Sequence, residues 1–89
     1  DFQGAIKHYK KAIDCDSKYR DAWLNMGDCL IRLNQYNDAI NCYIKAVEFD
    51  PHDPYTWKNL SKLYQVLGME TEAQKAGKKY LEINKGISH

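Results

Sequence analysis

Trp23-Leu24-Asn25-Met26-Gly27 returns 34 residues later as Trp57-Lys58-Asn59-Leu60-Ser61. The same beat holds on either side of it. Ala5-Ile6-x-x-Tyr9-x-x-Ala12-Ile13 is answered by Ala39-Ile40-x-x-Tyr43-x-x-Ala46-Val47, and Ala73 continues the alanine series. A fixed period of this length is the trace of stacked helix-turn-helix units. Two short helices cannot bury their apolar faces alone, so each unit packs against its neighbours and the stack grows into an elongated, curved surface instead of a closed pocket. Surfaces of that form bind other polypeptides. One pattern therefore sets both the fold class, all-α, and the class of function.

Within the repeat, Trp23, Met26, Gly27, Leu30 and Leu33 recur at three- and four-residue steps and predict a helix over Ala22–Leu33. Asn34 and its counterpart Gly68 are residue types that accept the left-handed conformation closing a helix. A second helix is expected over Asn37–Asp50, with Ala39, Ile40, Tyr43, Ala46, Val47 and Phe49 on its inner face and Pro51 stopping it. Asp53-Pro54 pairs a capping carboxylate with a proline at the first helical position, and starts a helix through Trp57, Leu60, Ser61, Tyr64 and Leu67. Helices over Phe2–Cys15 and Thr71–Ile83 complete a set of five. Residues 1–89 thus form one domain: a half repeat 1–19, a full repeat 20–53 and a terminal repeat 54–87. Trp23 and Trp57 are expected to be the central stacking residues. Because Asp1 and Phe2 align with Gln35 and Tyr36, the chain opens halfway through a repeat. It is expected to be a piece of a longer array, or a fold completed by a helix from another molecule. Ala5, Ile6 and Tyr9 would then leave an apolar stripe for a second copy to cover.

Thirteen Lys and Arg against twelve Asp and Glu leave a net charge of +1 over 89 residues, which provides no electrostatic pull toward nucleic acid or an anionic membrane. No run approaches the ~18 apolar residues of a membrane span, and the first residues lack the layout of a signal peptide. A soluble, intracellular, cytoplasmic protein is the expectation. Cys15, Cys29 and Cys42 are odd in number and spaced 14 and 13 apart, which suits small apolar helix residues and neither a disulfide framework nor a metal site. No phosphate-cradling glycine loop, Cys-x-x-Cys or His-Glu-x-x-His is present, so no cofactor is expected. His8 occupies the repeat position of Cys42 and Ala76, His52 sits in a loop and His89 is the last residue. None has a nucleophile or acid partner in the pattern, and catalysis is not expected. Lys75, Lys78, Lys79 and Lys85 are interrupted by Glu72 and Glu82, and read as a solvated face.

Trp23, Met26-Gly27, Leu30, Ala39, Tyr43 and Pro51 together resemble the tetratricopeptide repeat, and the flanking half repeats extend that likeness over nearly the whole chain. The resemblance implies antiparallel helix pairs stacked into a right-handed superhelix, a solenoid whose first helices line a concave groove for peptides or partner proteins. The third repeat departs from it, with Gln74, Gly77 and Tyr80 standing where the second has Ile40, Tyr43 and Ala46. A ring in place of a small contact suggests that the last helix closes the array or docks elsewhere.

By spacing, Asp21, Leu24, Asn25, Asp28 and Arg32 on one first helix, and Tyr55, Lys58, Asn59, Lys62 and Gln65 on the next, face the groove. Asn25 and Asn59 each offer donors and an acceptor, which suits pairing with the backbone of an extended ligand. Lys58 and Lys62 lie one turn apart, which favours acidic ligands. Some relatives of the resembled family clamp a terminal carboxylate with Lys and Asn on one first helix, Asn on the next, and Lys and Arg on a third. Here Leu24 and Asp28 hold the first two places and only Asn59 matches, so that clamp is not expected. The expected function is a non-catalytic interaction module for a protein or acidic peptide. The alternatives are a self-assembling element that forms homo-oligomers through its terminal helices, and a regulatory segment of a larger enzyme.

Overall fold

The computed structural model describes residues 1–87, so His89 lies outside the described residues. Five helices follow one another: α1 (Phe2–Cys15), α2 (Arg20–Arg32), α3 (Tyr36–Phe49), α4 (Pro54–Val66) and α5 (Glu70–Ile87). Each packs on the next in sequence, giving a flattened body of 39 × 29 × 16 Å. The five-helix, all-α expectation holds, and the helix limits move by a few residues. α2 starts at Arg20 and not Ala22, because Tyr19 enters the helix without a side-chain cap that the sequence could advertise. α1 spans Phe2–Cys15 as expected, and α3 starts at Tyr36, one residue before the expected Asn37. α5 runs on to Ile87, well past Ile83, since nothing between them forces a stop.

The turns are made as their residue types demand. Asn34 has φ 60° and Gly68 has φ 74°. At each, the following amide reaches back to close the helix, Gln35 N to Leu30 O at 2.8 Å and Met69 N to Tyr64 O at 2.8 Å. Asp53 caps α4 by accepting from Tyr55 N at 3.1 Å, with Pro54 in the first turn. It also accepts from the Thr56 hydroxyl, which is fully buried, and from Arg20, whose guanidinium lies 2.8 Å from Asp53, 3.4 Å from Asp50 and 2.9 Å from Asp21. Arg20 therefore ties the start of α2 to the α3–α4 loop.

The core is a single cluster in which Ile6, Leu24, Met26, Leu30, Ala39, Ile40, Tyr43, Ala46, Val47, Leu60, Leu63 and Ala76 are buried. Tyr43 is its largest fully buried side chain, 1% exposed. α2 approaches it through Gly27, where a Cβ would stand 3.2 Å from the Tyr43 ring and 3.3 Å from Cys42 Cβ, so a glycine permits the close crossing. The tryptophans are not the centre of the stack. Both are half-buried against the cluster, and each donates its indole N–H to a carbonyl in the loop before its helix, Trp23 to Ser17 O and Trp57 to Pro51 O, at 2.8 Å. Phe49, expected inside, is 37% exposed in the last turn of α3. In the first half repeat Ile6 is buried and Ala5 and Tyr9 half-buried, so α2 covers most of the stripe that a second copy was expected to take.

Gly77 stands in place of Tyr43 in the last repeat, and the missing ring returns one turn later as Tyr80. Tyr80 is half-buried, and the Lys58 ammonium of α4 lies over its ring, 5.9 Å from the centroid. The ring thus folds back on its own repeat, while Ser61 of α4 donates to Ala73 O of α5 at 2.9 Å across the neighbouring crossing. The departure is a repacking within one helix pair.

Candidate binding surface

At about 100° per residue, Tyr55, Lys58, Asn59 and Lys62 fall on one side of α4, and Trp57, Leu60 and Tyr64 on the other. The first side is the one expected to meet a ligand. Tyr55, Lys58 and Lys62 are exposed and Asn59 is half-buried. On α2, Asn25 and Arg32 are exposed and Asp28 half-buried. Among the described residues no side-chain hydrogen bond or ion pair engages Asn25, Arg32, Asn59 or Lys62. Asn25 borders a hollow of about 120 Å³ formed with His8, Tyr9, Ala12, Tyr19 and Ala22, which turns it toward α1.

Four of the expected surface residues are engaged within the fold, Asp21 through its 2.9 Å ion pair with Arg20. Leu24 is buried in the core and cannot reach a ligand. Its apolar spacing matched the core as well as the groove, and burial wins because α1 packs over α2. Asp28 accepts a short hydrogen bond from the Tyr43 hydroxyl. Burial, that bond and the nearby Asp28 charge push the Tyr43 phenol well above its ordinary value of 10.0, so the phenol stays protonated and keeps donating. Lys58 is held over Tyr80. Leu24 is thus covered and Asp28 occupied at the two places where a carboxylate clamp would need Lys and Asn.

Cys42 is not poised as a nucleophile. Cys42 is buried and its thiol is pushed up to about 11, chiefly by burial and then by Asp38, so it persists as an inert thiol at neutral pH. Among the described residues no group of three or more His, Cys, Asp or Glu is placed to hold a metal ion, and no helix is long and apolar enough to cross a membrane.

The feature that sequence reasoning missed lies on the other side of α4. There α3 and α5 stand apart and leave an open cleft of about 500 Å³ over Ile44, Val47, Trp57, Leu60 and Tyr64. Its counterpart one repeat earlier, between α1 and α3, is about 340 Å³ and is lined by Lys10 where the later one has Ile44, and by Asn41 where the later one has Lys75. Those two exchanges were visible in the repeat alignment, but the gap between helices was not.

A family model described as Tetratricopeptide repeat matches residues 1–63. The general transcriptional corepressor ssn6 of Schizosaccharomyces pombe is 31% identical over 77 residues, which is 84% of this chain and 7% of that protein. Among solved structures, MamA superposes with a TM-score of 0.94 at 26% identity, covering 98% of this chain and 51% of that one. The second TPR of Spaghetti (RPAP3), solved bound to the HSP90 peptide SRMEEVD, superposes with a TM-score of 0.84 at 18% identity, covering 92% of this chain and 76% of that one. At that identity the likeness is one of fold. The chain spans a small fraction of ssn6 and about half of MamA.

Proposed function

Because the chain belongs to the tetratricopeptide repeat family, we propose that it is an interaction module without chemistry of its own, binding a peptide or partner protein along the exposed side of α2 and α4. Asn25 and Asn59 are the anchors in this reading, pairing with ligand backbone, and Lys58 and Lys62 draw acidic side chains. Arg32 and Tyr55 border the same surface. The observation that carries the proposal is that, among the described residues, these polar side chains have no hydrogen bond or ion pair of their own and all but the half-buried Asn59 are exposed, Lys58 resting only on the Tyr80 ring. The neighbour of like fold bound to SRMEEVD, a peptide with three acidic residues, supports the kind of ligand but not the clamp.

Two first helices give few anchors, so the expected affinity is in the micromolar range, about −8 kcal/mol. Lysine steering is screened beyond ~10 Å at 0.1 M salt, whereas amide pairing acts at short range. Titration with fluorescein-labelled acidic peptides should therefore separate the two contributions. Lys58→Ala with Lys62→Ala should flatten the salt dependence, and Asn59→Ala should weaken binding at every salt concentration. Equal binding by wild type and the Lys58/Asn59/Lys62 triple alanine variant would remove this surface from consideration.

A further inference from the structure

The cleft behind α4 continues past Trp57, Lys79 and Glu82 into a second hollow of about 450 Å³, beside Pro51 and His52 and ending at Gly86. α5 walls it from Glu72 to Gly86, a length of about 21 Å at the ~1.5 Å rise of a helical residue. Its floor is aliphatic and aromatic. A peptide laid there in extended form would leave its amides and carbonyls without partners over that floor, whereas a helix satisfies its own backbone and can turn an apolar stripe downward. About four helical turns fill the length.

The rim supplies the charge preference. Lys75, Lys78 and Lys79 stand within one turn on the α5 wall. Among the described residues Lys78 and Lys79 make no ion pair, and Lys75 has only a 4.0 Å contact with Glu72 that is open to water and contributes little. Glu82, about one turn beyond Lys78 and Lys79, and Glu72, about one turn before Lys75, bracket the lysines. Acidic groups fit opposite residues 75–79 and are repelled opposite residues 72 and 82. The preceding repeat keeps Ile6, Met26 and Leu30 in its hollow, but Lys10 for Ile44 makes the lining more polar and Asn41 for Lys75 thins the cationic wall.

We propose that the cleft between α3 and α5 seats an amphipathic helix of a partner protein, its apolar stripe on the half-buried Ile44, Trp57 and Tyr64 above the buried Val47 and Leu60, and an acidic flank against Lys75, Lys78 and Lys79. This site is on the opposite side of α4 from Asn59 and Lys62 and does not depend on that surface binding anything.

The test uses the full chain and a synthetic helical peptide of about 14 residues, with leucines at three- and four-residue steps and glutamates along one flank. Isotope-edited NMR maps the site. The expected result is micromolar binding with shifts concentrated at Ala76, Lys79 and Ile83, and a gain of peptide helicity in circular dichroism. Lys78→Glu with Lys79→Glu, at exposed positions that the fold tolerates, should weaken binding by at least about tenfold. Lys58→Ala with Lys62→Ala should leave it unchanged. Any one of four results overturns the proposal: no binding below about 1 mM, shifts centred on Asn25, Asn59 and Lys62, an unchanged affinity after the double reversal, or equal binding of a peptide with lysines in place of the glutamates.

Discussion

Tyr43→Ala is expected to remove about half of the domain's stability. The ring is the largest fully buried group in the molecule and fills the crossing that Gly27 keeps narrow. Removing it costs about 3–5 kcal/mol in transfer and cavity terms. A domain of this size holds only about 5–10 kcal/mol in total. At ~4–8 °C per kcal/mol, the midpoint should fall by roughly 15–30 °C in a thermal melt followed by circular dichroism. Tyr43→Phe keeps the ring and deletes only the donor to Asp28, a half-buried carboxylate that water can reach, so its cost should stay near 1–2 kcal/mol. A cooperative alanine-variant melt within a few degrees of wild type would contradict the placement of Tyr43 at the centre of the core.

Leu60→Ala should be the next most damaging change, at about 2–5 kcal/mol. Leu60 is 1% exposed and joins α4 to the main cluster on the floor of the α3–α5 cleft. Relaxation toward the open cleft would hold the loss to the lower half of that range. Leu60→Met conserves volume and should cost less than about 1.5 kcal/mol, as Met26 at the same place in the preceding repeat suggests. Urea midpoints for the two variants compare these directly. Equal midpoints for Ala and Met would show that α4 is anchored elsewhere.

The period of 34 carried the fold, because positions fixed by close approach tolerate few residue types and so repeat legibly. Asn34, Gly68 and Asp53 could each be read locally, since a left-handed turn or a helix cap depends on its own residue. The misreadings came where two helices compete for one side chain. Leu24 satisfied both the groove-facing and the inward spacing, and only the packing of α1 decides between them. Trp23 and Trp57 have the size of core residues, but their indole nitrogens need an acceptor, and the loop carbonyls that supply one lie at the edge of the stack. Tyr80 was legible as an anomaly, yet its resting place beneath Lys58 depends on how α5 packs against α4. The cleft behind α4 could not be read at all, because it is a distance between α3 and α5, and no residue type encodes a distance.

The two indole–carbonyl bonds make each junction of the stack separately audible. Trp23 N–H is shielded only while the α1–α2 loop holds Ser17 in place, and Trp57 N–H only while the α3–α4 loop holds Pro51. The chemistry and length of the two bonds are the same, so any difference in their solvent exchange belongs to the opening of the junctions themselves. A molecule that comes apart as one body surrenders both protons at one rate. A molecule that peels from an end surrenders them in order, and the order names the end.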